Sequence, residues 1–140
     1  MEKTMFDHIS IGVADLARSK RFYDAALGPL GYRLLKESPG SLGYGRARIS
    51  LWVIATDRPV PADPKSGLHF CFTAPTARSV GEFYQAALAN GGGDNGAPGQ
   101  RFEYAPDYYA AYVFDPDGYR LEAYAADEEA ENPRSLHAEG

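Results

Sequence analysis

Residues 7–28 read DHISIGVADLARSKRFYDAALG, and the same pattern returns 61 positions later. His8 falls on His69, and FYDAAL at 22–27 falls on FYQAAL at 83–88, which differs at one position. The chain has only three histidines, so two of them in register are improbable by chance. The sequence therefore predicts two copies of one module.

Each copy is typical of a βαβββ unit in an α+β fold. Residues 8–13 alternate polar and apolar side chains, which predicts a half-buried strand. Asp15 and Thr76 are suited to cap the helices that follow, and glycines end them. Short strands come next, and the last two strands of the second copy flank a strong turn at 115–118. We expect a first module at 5–57, a linker at 58–66, a second module at 67–126 and a polar tail at 127–140.

One segment of the second copy is rich in glycine. Residues 90–99 follow a helix rather than open one, so they do not resemble a phosphate-binding loop. The composition favours a flexible loop that could act as a lid. A weak strand is predicted just after it, near residues 101–104.

Composition limits the classes of partner. The chain has 140 residues and a net charge of −5, which argues against nucleic acid and anionic membrane surfaces. No apolar run approaches the roughly 18 residues of a membrane-spanning helix. The N-terminal residues lack the apolar stretch of a secretory signal, and Cys71 is the single cysteine. We therefore expect a cytoplasmic protein.

Alternation along the strands places three candidate ligands on one face. Ile9 and its alternate neighbours suit the side covered by the helix, so His8 points the other way, and His69 does the same in the second copy. Glu122 lies between Leu121 and an alanine, and it also points away from the helix. Two imidazoles and one carboxylate can bind one divalent metal and leave positions open for substrate. Fe, Mn, Ni, Co and Zn all suit this ligand set.

Further polar and aromatic side chains share that face. The tyrosines at 104, 108, 109 and 112 cluster densely, which predicts either a pocket wall near the metal or strand packing, where tyrosine is also common. Tyr112 and Tyr124 are the two expected to line the pocket. Trp52 and Ser50 share a face and could contact substrate, or Trp52 could pack in an interface. Arg120 could orient an anionic substrate or pair with a surface acid, and Arg101 has the same two interpretations.

Two segments together resemble a known family. Residues 7–28 are similar to the opening of vicinal oxygen chelate proteins, and YVFDPDGYRLEAY at 112–124 is similar to their closing hairpin. That superfamily includes glyoxalase I, bleomycin and fosfomycin resistance proteins and extradiol dioxygenases. The resemblance implies paired modules that form a cup-shaped curved sheet, a small-molecule substrate, and a homodimer. It also implies His8, His69 and Glu122 as the metal ligands.

One departure from the family pattern bears on the activity. Matching 49–51 to 121–123 puts Ser50 where glyoxalase I has a fourth, carboxylate ligand, which weakens that assignment. The leading interpretation is a metal-dependent lyase or isomerase in which Glu122 tunes the metal and Tyr112 or a bound water handles protons. The alternatives are an Fe(II)-dependent extradiol-type dioxygenase and a non-catalytic small-molecule binding or resistance protein. The third histidine, His137, falls in the tail and is a poor candidate.

Overall fold

A computed structural model describes residues 4–61 and 63–126. Its elements follow in the order β1 (Ile9–Val13), α1 (Leu16–Leu27), a short 3-10 turn (Gly28–Leu30), β2 (Arg33–Ser38), β3 (Ser41–Gly45), β4 (Ile49–Ala55), β5 (Phe70–Thr73), α2 (Ala77–Ala89), β6 (Gly93–Gln100), β7 (Tyr108–Phe114) and β8 (Arg120–Ala126). Strand, helix and three strands therefore occur twice. This confirms the predicted α+β fold with two βαβββ modules.

The two modules have the same sheet topology. The first sheet has the strand order β1-β4-β3-β2, and the second has the order β5-β8-β7-β6. In each module the first strand runs parallel to the last, and the remaining pairs are antiparallel. The last strand of each module thus lies beside the first, which brings residues distant in sequence to one place.

Side-chain caps fix the start of each helix. Asp15 Oδ1 accepts a hydrogen bond from the amide of Arg18 at 3.0 Å. Thr76 and Ser79 form a reciprocal capping box at the start of α2. These bonds satisfy amides that have no partner within the helix, and both predicted caps are confirmed.

The core lies between the helices and the sheets. α1 and α2 pack against each other, and each also packs on strands of its own module. Val13 is fully buried while Ser10 on the opposite face of β1 is exposed. Tyr23 of α1 reaches the turn after β7 and donates a 2.5 Å hydrogen bond to Asp115, which joins the two modules. The face alternation inferred from sequence is therefore confirmed along β1.

The glycine-rich segment is a strand, so the predicted loop or lid at 90–99 is wrong. Residues 93–100 form β6 and pair antiparallel with β7, with two register shifts. Gly96 takes a φ of 147°, and the proline at 98 lies in the irregular part of this edge strand. Pairing with β7 outweighs the weak intrinsic preference of the segment. The strand predicted at 101–104 is instead a turn that leads into β7.

Two sequence-based expectations concern other parts of the chain. Within residues 4–61 and 63–126, no helix is long and apolar enough to cross a membrane. The tail predicted at 127–140, which includes His137, falls outside the described residues.

Candidate metal and substrate site

Glu122 is a buried carboxylate on the face of β8 away from the helix. Only 3% of its surface is exposed. Its Oε1 lies 3.0 Å from His69 Nε2, and its Oε2 accepts a 2.6 Å hydrogen bond from the Tyr108 hydroxyl. A buried carboxylate is tolerated only when such partners replace water. The structure thus brings together two of the three predicted ligands and adds a tyrosine.

These side chains line a cavity of about 520 Å³, here called the module-two pocket. Its lining residues are His69, Cys71, Asn95, Tyr104, Tyr108, Tyr112, Arg120 and Glu122. The volume is within the roughly 300–1,000 Å³ of small-molecule sites. Tyr112 and Arg120 were predicted from sequence to share this face with Glu122, and the structure places them there. Tyr112 lies directly opposite Glu122 across the β7–β8 ladder.

Three tyrosines form a cluster of tilted rings, and two of them, Tyr104 and Tyr108, line one wall of the pocket. The ring of Tyr108 lies 4.2 Å from that of Tyr124 and 5.1 Å from that of Tyr104. Tyr104 is 63% exposed, so most of this residue is accessible to solvent. The sequence groups Tyr108 with other tyrosines as a pocket wall or as strand packing and does not select it to line the pocket, although alternation along β7 puts it on the same face as Tyr112. That alternation was the signal that could have found it.

Burial and the Glu122 charge both raise the pKa of the neighbouring side chains. Burial, followed by the nearby Glu122 charge, raises the pKa of the Cys71 thiol to about 12. The same two causes raise the pKa of Tyr112 to about 12. Burial and the hydrogen bond to Glu122 raise the pKa of Tyr108. At neutral pH these groups are therefore protonated donors, and Cys71 is a thiol rather than a thiolate nucleophile.

His8 lies in a different cavity. Its Nδ1 is 2.8 Å from the carboxylate of Asp7, which also bonds Arg48. His8 and Ser50 line a cleft of about 230 Å³, here called the module-one cleft, and Cys71 borders both cavities. Among residues 4–61 and 63–126, no three His, Cys, Asp or Glu side chains form a group that could hold a metal. One chain therefore presents the three predicted ligands in two separate places.

The strand register corrects the sequence-based match between the modules. Ile9 pairs with Leu51, and its counterpart Phe70 pairs with Leu121. Trp52, rather than Ser50, is therefore the module-one counterpart of Glu122. Ser50 and Trp52 lie two residues apart on the same face, so alternation could not separate them. The fourth-ligand position carries an indole, which cannot bind a metal as a carboxylate does.

The donor atoms present suit part of a metal site. Imidazole nitrogen and carboxylate oxygen bind divalent metals at about 2.0–2.2 Å, so neighbouring ligand atoms at right angles lie about 3 Å apart. The observed 3.0 Å between His69 Nε2 and Glu122 Oε1 is a direct hydrogen-bond distance, and it is also compatible with this spacing. Tyr108 occupies the other carboxylate oxygen and fixes the orientation of Glu122. Such a second partner is common for metal-binding carboxylates.

Comparison with known proteins agrees with this architecture. A family model described as "Glyoxalase/Bleomycin resistance protein/Dioxygenase superfamily" matches residues 5–123. A glyoxalase/bleomycin resistance protein from Albidiferax ferrireducens is 32% identical, with a TM-score of 0.77 over 87% of this chain and 99% of that chain. A glyoxalase-related enzyme from Fulvimarina pelagi has the same fold, with 20% identity and a TM-score of 0.66 over 88% of each chain. A search of curated proteins gave no match.

Paired βαβββ modules with a polar pocket on the face away from the helices define a vicinal oxygen chelate fold. The chain belongs to the glyoxalase/bleomycin resistance protein/dioxygenase superfamily.

Proposed function

We propose that this chain is a metal-dependent enzyme of the lyase or isomerase kind, acting on a small molecule bound to one divalent metal through adjacent oxygens. The observation that carries the proposal is the 3.0 Å pair of His69 and buried Glu122 in a tyrosine-lined pocket. Fe, Mn, Ni, Co and Zn all suit these donors. When bound, the metal would supply Lewis acidity toward a developing oxyanion.

In this proposal, each polar side chain near the metal has a role of its own. Tyr108 holds one oxygen of Glu122 and so leaves the other free to bind the metal. Tyr112 lies opposite Glu122 and would donate or accept a proton at its hydroxyl. Arg120 and Tyr124 would contact the substrate from β8. Catalysis would then depend on positioned hydroxyl groups rather than on Cys71.

The third ligand, His8, is proposed to come from a second copy of the chain. Its imidazole is 47% exposed at the start of β1, and His69 is 42% exposed at the mouth of its own pocket. Exposed donors on two surfaces of one chain can meet in a two-fold dimer, because each copy presents both surfaces. Ser50 and Trp52 lie on the same face of module one as His8, so they would approach the substrate together with it.

Metal content is the direct test of the site. We expect close to one metal ion per chain after purification without chelator, and less than about a tenth of an ion per chain in His69→Ala and Glu122→Ala. Glu82→Gln is the matched control, since that exposed carboxylate pairs with Arg78 on α2. A wild-type protein with no metal at that level would contradict the proposal and favour a non-catalytic binding protein.

Mixing of variants tests whether the site spans two chains. His8→Ala and Glu122→Ala would each lack metal, but refolding them together would give mixed dimers with one intact site. Random pairing would restore about a quarter of the wild-type metal content. No restoration in a mixed dimer shown to form would place His8 in the same chain as its partners.

The tyrosine wall supports a second candidate function, ring cleavage by an Fe(II)-dependent dioxygenase. Aromatic substrates stack on tyrosine rings that line a pocket, here Tyr104 and Tyr108. Oxygen consumption with catechol by the Fe(II)-loaded protein would favour this function over the lyase. Absence of oxygen uptake, with the metal bound, would exclude catechol cleavage.

A further inference from the structure

Asp7 connects the proposed ligand His8 to the rest of module one. Its Oδ2 lies 2.8 Å from Nδ1 of His8, and its Oδ1 accepts a hydrogen bond from the guanidinium of Arg48. Arg48 directly precedes β4, and His8 directly precedes β1, which pairs with β4. One carboxylate thus holds the imidazole through one oxygen and is itself held through the other.

The contact with Asp7 decides which nitrogen of His8 can bind a metal. An ionised carboxylate accepts hydrogen bonds and cannot donate them, so the neutral ring carries its proton on Nδ1. Nε2 then has a free lone pair. Among residues 4–61 and 63–126, Nε2 of His8 has no hydrogen-bond partner, and 47% of the side chain is exposed. The nitrogen that a metal requires is therefore both unprotonated and accessible.

The second copy of the repeat has no equivalent of this carboxylate. Leu68, whose side chain cannot accept a hydrogen bond, stands before His69. Glu122 instead lies 3.0 Å from Nε2 of His69 and orients that ring. In module one the position equivalent to Glu122 carries Trp52, whose indole offers no acceptor for an imidazole N–H. The adjacent carboxylate is therefore the group that can orient His8.

We propose that Asp7 is a positioning residue for the metal site, which holds the His8 ring so that Nε2 presents its lone pair to the metal. The inference rests on the proposed function, because it takes His8 as the third ligand. A carboxylate bonded to the second nitrogen of a ligand histidine fixes the ring and makes it a stronger donor, and loss of such a partner weakens metal binding by about 10–100-fold. Arg48 contributes indirectly, through its contact with Asp7.

The tautomer of His8 can be measured in the protein without metal. Long-range nitrogen–proton NMR distinguishes a proton on Nδ1 from one on Nε2, and the chain has only three histidines, which single substitutions assign. At about pH 8, where an ordinary histidine is neutral, we expect Nδ1–H in the wild type and a larger share of Nε2–H in Asp7→Ala. An unchanged tautomer in Asp7→Ala would overturn the proposal.

Metal affinity tests the consequence for the site. Competition between a chelator and the Co(II)-loaded protein should give a dissociation constant about 10–100-fold weaker in Asp7→Ala than in the wild type. Asp7→Asn should recover part of the loss, because an amide oxygen also accepts a hydrogen bond from Nδ1. A wild-type dissociation constant in Asp7→Ala would refute the role of this residue.

Stability measurements separate positioning from a structural role. The side chains of Asp7 and Arg48 are 57% and 73% exposed, and exposed pairs contribute little to stability, so the urea midpoint of Asp7→Ala should stay at the wild-type value. Glu82→Ala is the matched control, because Glu82 is a 52% exposed carboxylate that pairs with Arg78. It should keep the wild-type metal affinity. Equal weakening in Glu82→Ala, or a fall in the Asp7→Ala midpoint that parallels the loss of metal, would contradict the proposal.

The wild type and His8→Ala keep the two proposals apart. A wild-type protein that binds no metal would contradict the metal-dependent function, and with it the role of Asp7. A wild type that binds metal while Asp7→Ala binds it equally well would contradict the role of Asp7 alone. Wild-type affinity in His8→Ala would also overturn the inference about Asp7, because the metal would then be held without His8.

Discussion

Tyr108 reaches Glu122 diagonally across the β7–β8 ladder. The register pairs Tyr108 with Ala126 and Tyr112 with Glu122, yet the Tyr108 hydroxyl donates to Glu122 Oε2 at 2.6 Å. The long phenol spans this offset over Ala110, which is fully buried on the same face. A small residue at that position gives Tyr108 the space to cross. The pair thus depends on Tyr108 and Ala110 of β7 and on Glu122 of β8.

Removal of the Tyr108 hydroxyl should lower both the stability of the fold and the affinity for metal. Tyr108→Phe leaves a buried carboxylate oxygen without its donor, so we expect a loss of about 1–3 kcal/mol in the free energy of unfolding. Urea denaturation measures this loss, and metal affinity should fall in parallel because Glu122 is no longer fixed. Tyr109→Phe, on the helix-facing side of β7, is the control. An unchanged stability and metal affinity in Tyr108→Phe would contradict the role assigned to this bond.

Much of this arrangement can be predicted from the sequence, because a strand alternates its faces. The repeat and the alternation predicted that His69, Glu122, Tyr112 and Arg120 share one side. Alternation has a period of two, however, so it cannot distinguish Ser50 from Trp52, which is the true counterpart of Glu122. Register depends on pairing between distant segments and becomes visible only in the folded sheet.

Two other features also depend on tertiary contacts. β6 consists largely of residues with poor strand preference, and its partner β7 supplies the pairing that makes it a strand. The separation of His8 from His69 follows from how the modules pack, which the repeat alone does not specify. The module-one cleft and the module-two pocket differ in packing and also in side chains, since Trp52 and Glu122 occupy matching positions.

Asp115 should make the stability of the protein depend on pH. Burial raises the pKa of this carboxyl to about 6 from an ordinary value of 3.8, while the hydrogen bond from Tyr23 and the backbone amides oppose that rise. The folded state then binds the proton more tightly than the unfolded state. Its contribution to stability is therefore fully present below about pH 4 and is lost as the pH rises to about 6.

A substitution isolates this contribution. Asp115→Asn has no titrating carboxyl and keeps an oxygen for the backbone amides. Relative to the wild type, we expect the variant to gain on the order of 2–3 kcal/mol in unfolding free energy between pH 4 and pH 7.5. Asp57→Asn, at an exposed position, should show no such difference. A constant difference between Asp115→Asn and the wild type across that range would refute the pKa assignment.

Gly92 lies where a side chain would meet two backbone atoms. A Cβ there would lie 2.8 Å from the carbonyl oxygens of both Ala87 and Phe114, and 2.7 Å from the ring of Phe22. The two carbonyls belong to α2 and β7, which cannot both shift without loss of packing. We expect Gly92→Ala to destabilise the fold by at least about 1–3 kcal/mol in thermal or urea unfolding.

Gly40 provides the comparison for that prediction. A Cβ at Gly40 would meet no heavy atom within 4 Å, so Gly40→Ala should change stability far less. Equal effects of the two substitutions would mean that the close approach at Gly92 relaxes at little cost.

A substitution at Gly81 should have the opposite effect and increase stability. Gly81 lies within α2, and a Cβ at this position would meet no neighbouring atom within 4 Å. Glycine in a helix interior costs about 0.5–1 kcal/mol relative to alanine, because the unfolded chain loses more conformational freedom. Gly81→Ala should therefore raise the free energy of unfolding by about that amount and the melting temperature by a few degrees. Metal content should stay at the wild-type level, since α2 packs on the side of the sheet away from Glu122. A loss of stability would contradict the open space around position 81.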